Sequence, residues 1–163
     1  MDWSLLSPYE VVGSSDGLSY FFITDSGHHY HAYFLEMKYY IPSFQNVYAF
    51  NLEPEEETPH PIDLRIAITV ATLIRKFFNL VNNGIIYICD TTDGKGKLRK
   101  LLFDKWFRLF NNGRAVKYDA EAQTPDYCVN ASLILLASNT DHDRIVSDFY
   151  RLVANGMMPE NQV

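Results

Sequence analysis

The sequence predicts an α+β fold: a mainly antiparallel sheet with three packed helices, in the order βββαβαββα. Three observations lead there. Residues 18–52 hold three short runs rich in Tyr, Phe and Ile, separated by turn residues. Three later segments repeat apolar residues at three- and four-residue spacing. Each of those segments runs out at an Asn-Gly pair, Asn83-Gly84, Asn112-Gly113 and Asn155-Gly156, which is helix-ending chemistry. At 163 residues and 47% hydrophobic, the chain can bury a core, and 11 Tyr with 11 Phe place it outside the disordered class. Residues 1–17 read as an N-terminal lead-in segment and 18–163 as a single domain.

The first strand is expected over 18–24 and the second over 30–41, joined by the Asp25-Ser26-Gly27 turn. A third covers 44–52, and residues 53–61 form an acidic loop with three prolines. The first helix is expected over 62–82. Its packed face carries Ala67, Val70, Ala71, Ile74, Phe77, Phe78 and Val81, with Arg65, Thr69, Thr72, Lys76 and Asn79 outside. Pro61 suits its first turn and Asp63 the positive end of its dipole. A buried strand follows at 85–89, then the second helix over 97–111. Two strands, at 115–121 and 127–137, are joined by Thr124-Pro125-Asp126. The last helix covers 141–154, capped by Thr140, with Ile145, Val146, Phe149, Leu152 and Val153 as its stripe.

Charge is distributed unevenly. Eight of the 14 Lys and Arg fall between Lys95 and Lys117, against Asp104 alone, so that stretch is +7. A chain of net −6 then carries −13 elsewhere. On a helical wheel Lys97, Lys100, Lys105 and Arg108 share the solvent side of the second helix with Asp104, and Arg114 and Lys117 extend the patch. These cations are expected to meet an acidic partner protein. Arg99 falls on the apolar face, among Leu98, Leu102, Phe103, Trp106 and Phe110, where a charge needs a partner. The preceding turn supplies Asp90, Asp93 and Lys95 at a strand end. Two readings stay open for Asp90, Asp93, Lys95 and Arg99. One is a salt-bridged lock between strand and helix; the other is an anion-binding site, or the centre of a small enzyme.

No reaction-bearing motif is complete. Gly94-Lys95-Gly96-Lys97 lacks the spacing and the hydroxyl of a phosphate-binding loop. Counted from Asp90, the third, fifth and twelfth positions are Thr92, Gly94 and Leu101, which excludes an EF-hand calcium loop. His29 and His31 share a strand face, but no acidic residue or cysteine adjacent in sequence completes a metal set, so no metal and no cofactor is expected. Cys89 and Cys128 sit in strands and, with no secretory signal ahead of them, read as reduced thiols. No apolar run reaches the roughly 18 residues of a membrane span, so the expected location is cytoplasmic, without membrane contact. The acidic remainder of the chain argues against nucleic acid. Self-association through Tyr-rich strand edges stands beside the acidic protein partner.

A resemblance is carried by Tyr20, Phe22 and Gly27, by residues 44–50, and by the helix 63–78, DLRIAITVATLIRKFF. It continues through Ile88-Cys89-Asp90, Asp93-Gly94-Lys95, Arg99, Phe103 and Trp106-Phe107. In these residues the sequence resembles a family of small uncharacterised bacterial proteins known only as a domain of unknown function. The likeness covers roughly residues 18–110 and leaves the C-terminal third unmatched. It implies a soluble intracellular bacterial protein and supplies no activity, cofactor or catalytic residue. Together these readings predict a non-enzymatic interaction module. The Asp90–Arg99 turn is the alternative centre, and nucleic-acid binding is a weaker alternative.

Overall fold

The computed structural model describes residues 6–56, 63–90, 96–123, 125–126 and 128–156, with backbone alone at 90, 96–98 and 110. The described residues form seven strands and three helices, paired mostly antiparallel: an α+β fold. They divide into two compact units, Met1–Leu35 with Phe50–Asn79, and Glu36–Ala49 with Leu80–Val163.

The first unit holds β1 (Val12–Gly13), β2 (Ser19–Ile23), β3 (His29–Glu36), the end of β4 (Val47–Pro54) and α1 (Leu64–Phe77), with strand order β1-β2-β3-β4. The hairpin between β2 and β3 turns on Gly27, whose φ of 82° is open to glycine at no steric cost. Alternation buries Tyr20, Phe22, Tyr30, Ala32 and Phe34 and turns Phe21 and Ile23 out. α1 covers the buried side, and its Phe77 stacks on Phe34 at 4.2 Å. Asp63 is its N-cap, accepting the Arg65 N–H at 2.9 Å.

Two expectations change in this unit. Thr69, placed outside by the wheel, is buried: its hydroxyl donates to the Arg65 carbonyl (2.7 Å) and accepts the Tyr9 N–H (2.8 Å). Those bonds satisfy its polarity and tie part of the lead-in segment to α1. Tyr9 is buried too, its ring 5.9 Å from Phe22 and its hydroxyl donating to Asp63. α1 stops at Phe77, short of the expected residue 82, and Val81 is exposed.

The second unit holds a 3-10 turn (Met37–Tyr39), the start of β4, β5 (Gly84–Asp90), α2 (Gly96–Phe110), β6 (Ala115–Gln123), β7 (Cys128–Leu136) and α3 (His142–Ala154). Its strand order is β4-β5-β7-β6, parallel between β4 and β5 and antiparallel elsewhere. The strand expected over 30–41 ends at Glu36, because the N–H groups of Tyr40 and Ile41 both fold back to the Met37 carbonyl. β7, flanked on both edges, is buried on both faces. Ile86, Val129, Ala131, Leu133 and Leu135 meet Ile145, Phe149, Leu152 and Val153 of α3, the stripe expected from spacing.

Gly156 (φ 65°) ends α3 as the Asn-Gly reading expects, whereas Gly113 (φ 85°) lies three residues past the end of α2, in the turn to β6, its N–H donating to Asn111 Oδ1. Gly84 does not end a helix. It opens β5, where an added Cβ would lie 2.7 Å from Leu135 Cδ2 and force that buried side chain to shift, so close strand packing favours the glycine. Thr140 does not cap α3 either. Its N–H and hydroxyl both reach Asn82 Oδ1 (3.0 and 3.2 Å), and Asp141 takes the N-cap.

Candidate functional site: the two faces of α2

Side chains alternate across β5, β7 and β6. One set is the apolar core under α3; the other is mixed, with polar groups set among Ile85, Tyr87 and Ile134. Register puts Tyr87, Ser132 and Asp119 in one cross-strand row, Cys89, Asn130 and Glu121 in the next, and Ile85, Ile134 and Lys117 in a third. Ser132, Asn130 and Cys89 are buried. This polar floor decides how α2 sits.

α2 lays Phe103 on Tyr87, ring centroids 4.0 Å apart and nearly parallel. Beside that stack runs an ion network. Lys100 Nζ donates to Asp104 Oδ2 at 2.6 Å and lies 3.9 Å from Asp119 Oδ1. Lys117 Nζ lies 2.5 Å from Asp104 Oδ1, off the hydrogen-bonding direction, and donates to Asp119 Oδ1. Ser132 Oγ donates to the same Asp119 oxygen at 2.6 Å. Two cations and two carboxylates cancel. Pairing of this kind offsets the cost of burying Lys117, whose side chain is only 9% exposed.

Burial opposes ionisation of Asp119, yet the Lys117 and Ser132 hydrogen bonds outweigh it and hold the carboxyl below the ordinary range. Burial likewise works against charged Lys100, and the Asp104 bond with the Asp119 charge raises it nonetheless. Asp119 is therefore a poor base for the Ser132 hydroxyl. Burial pushes the Cys89 thiol up, which makes it a poor nucleophile. The network clamps α2 to β6 and β7.

The packed face of α2 thus centres on Lys100, Phe103, Asp104 and Phe107, roughly 100° around the helix from the apolar stripe seen in sequence. Arg99, expected toward the core, is exposed. Lys100 and Asp104, expected in solvent, are partly buried, as is Lys117. The physical reason is the floor: Asp119, itself held by Ser132, and Lys117 offer partners to a lysine and an aspartate, and none to a leucine. Leu101, Leu102 and Leu109 are left outside at 65%, 40% and 43% exposure, on one stripe with Lys105 and Arg108.

Of the residues singled out from sequence, Lys105 and Arg108 are exposed as expected. Asp93 and Lys95 lie outside the described residues, and so do the side chains of Asp90 and Lys97. Sequence reasoning missed Asp119, Asn130 and Ser132. Their signal was the two-residue alternation of Lys117, Asp119 and Glu121 with Val116, Tyr118 and Ala120, mirrored by Asn130 and Ser132 in β7.

In the first unit His29 and His31 are tied up. His29 Nδ1 lies 2.5 Å from Glu56 Oε1, while His31 stacks between Phe21 (4.2 Å) and Tyr33 (4.5 Å) and its Nε2 meets Ser19 Oγ at 2.6 Å. No group of three or more His, Cys, Asp or Glu among the described residues is placed to hold a metal ion. Cys89 and Cys128 are free thiols, and no described helix is long and apolar enough to cross a membrane.

No curated protein and no solved structure matches the chain. Residues 62–151 match a protein family described as Family of unknown function (DUF6169). That span takes in α1, the clamp and the outward stripe of α2, and it reaches well past residue 110, where the resemblance read from sequence stopped. Matched over more than half of its length, the chain belongs to this family.

Proposed function

We propose that the chain is a cytoplasmic, non-enzymatic interaction module that engages an acidic partner protein through the outward face of α2. The composition of that face carries the reading. Exposed Leu101, Leu102 and Leu109 are interleaved with Lys105 and Arg108, which have no ion pair among the described residues. Lys100 and Lys117 are already spent on Asp104 and Asp119. Leucines supply apolar anchors, and cations set orientation and encounter rate. The matching surface is an amphipathic acidic helix, with apolar side chains against the leucines and carboxylates against Lys105 and Arg108. A nucleic-acid backbone would satisfy the cations and leave the leucines in water, so it ranks lower. The two free thiols fit a reducing compartment.

The test is fluorescence anisotropy with a labelled synthetic helix of Glu and Leu. Wild type binds saturably, about tenfold more weakly at physiological than at low salt. Lys105→Glu/Arg108→Glu loses binding and keeps its urea midpoint. Equal affinity for both proteins overturns the proposal, as does preference for a duplex oligonucleotide in the same titration.

A further inference from the structure

Among the described residues of the first unit, part of a sheet edge is uncovered. β1 meets β2 only at Val12↔Phe21 and Gly13↔Tyr20, while β2 pairs with β3 on to Ile23↔His29. Backbone bonds along β2 alternate in direction. The Thr24 N–H and the Leu18 carbonyl bond to the β3 side, and the Ser19 carbonyl accepts from Ser14 on the β1 side. Phe21 and Ile23 therefore aim their peptide groups at the edge. Val12 meets Phe21; beyond it the chain departs, Tyr9 turning in to Thr69 and Asp63.

The gap is a cavity of about 490 Å³, lined by Tyr9, Glu10, Val12, Phe21, Ile23 and Glu55 among others. Val12, Phe21 and Ile23 are exposed apolar side chains on its wall. Glu10 and Glu55 are exposed and have no ion pair among the described residues. The nearby basic side chains are committed: Arg65 lies 2.9 Å from Asp25 and 3.9 Å above the Tyr9 ring, and His29 is held by Glu56.

We infer that this gap is a strand-addition site for an extended peptide that alternates apolar and basic side chains. The Ile23 peptide group registers the added strand, Phe21 and Ile23 take an apolar side chain, and Glu10 and Glu55 take a Lys or Arg. The site is independent of α2.

The experiment titrates the isotopically labelled protein with an acetylated, amidated Lys-Val-Lys-Val-Lys peptide and follows backbone amide shifts. Saturable shifts at Val12, Phe21, Phe22 and Ile23 are expected, with slower hydrogen exchange at Ile23. Glu10→Gln/Glu55→Gln, two exposed positions whose loss leaves the fold intact, weakens binding about tenfold. A peptide N-methylated at alternate residues does not bind. No saturable shift at millimolar peptide, or equal binding by the N-methylated peptide or by a Glu-Val counterpart, overturns the inference.

Discussion

Phe103 is the side chain that most directly seats α2. It is buried and stacked on Tyr87 across 4.0 Å, so Phe103→Ala removes a filled contact and is expected to cost about 3–5 kcal/mol. Urea denaturation measures it, and a loss below about 1 kcal/mol would mean the stack does not hold the helix. The cysteines differ in the same physical way. Cys89 is buried with its thiol pKa raised by desolvation, whereas Cys128 is partly exposed. Timed alkylation read by mass spectrometry should label Cys128 first, and equal rates would contradict that burial. Asp119 sets an acid limit. Its folded pKa lies below the unfolded reference of 3.8, so the unfolded chain takes up the proton first as pH falls. The stability it contributes is complete above that reference and disappears as pH drops through the lower folded value. Asp119→Asn should flatten the acid side of the stability curve, and an unchanged slope would show that the Lys117 and Ser132 bonds leave Asp119 unshifted.

At the scale of elements, α2 separates what was legible in the sequence from what was not. Its existence and its approximate end were written in local spacing. Its rotation was not, because that depends on Asp119 and Lys117 of β6, with Asp119 held by Ser132 once β6 and β7 have paired. Local periodicity ranked leucines above an ion pair; the polar floor reversed the order. The same distinction explains Gly84, read as a helix cap from its neighbour Asn83 but favoured by close approach to Leu135. β1 escaped notice because a two-residue strand carries no periodicity. The rotation is testable by pairs of substitutions. Asp104→Ala leaves Lys100 and Lys117 without their shared carboxylate and should cost about 2 kcal/mol. Lys105→Ala on the outer stripe should stay within about 0.5 kcal/mol of wild type. Equal costs at the two positions would put α2 in a different rotation.

For the molecule as a whole, the uneven charge reads differently once the pairs are known. The +7 stretch is not one basic patch. Lys100 and Lys117 are neutralised within the fold, and the outward excess narrows to cations such as Lys105 and Arg108, interleaved with leucines. The proposed partner, an amphipathic acidic surface, matches that mixture better than a plain polyanion does. The most direct measurement is an amide chemical-shift map of the labelled protein titrated with the Glu and Leu helix. Binding at the proposed face of α2 is expected to give saturable shifts at Leu101, Leu102, Lys105, Arg108 and Leu109, absent in Lys105→Glu/Arg108→Glu. Shifts centred on any other surface, or the same map from the charge-reversed protein, would contradict it.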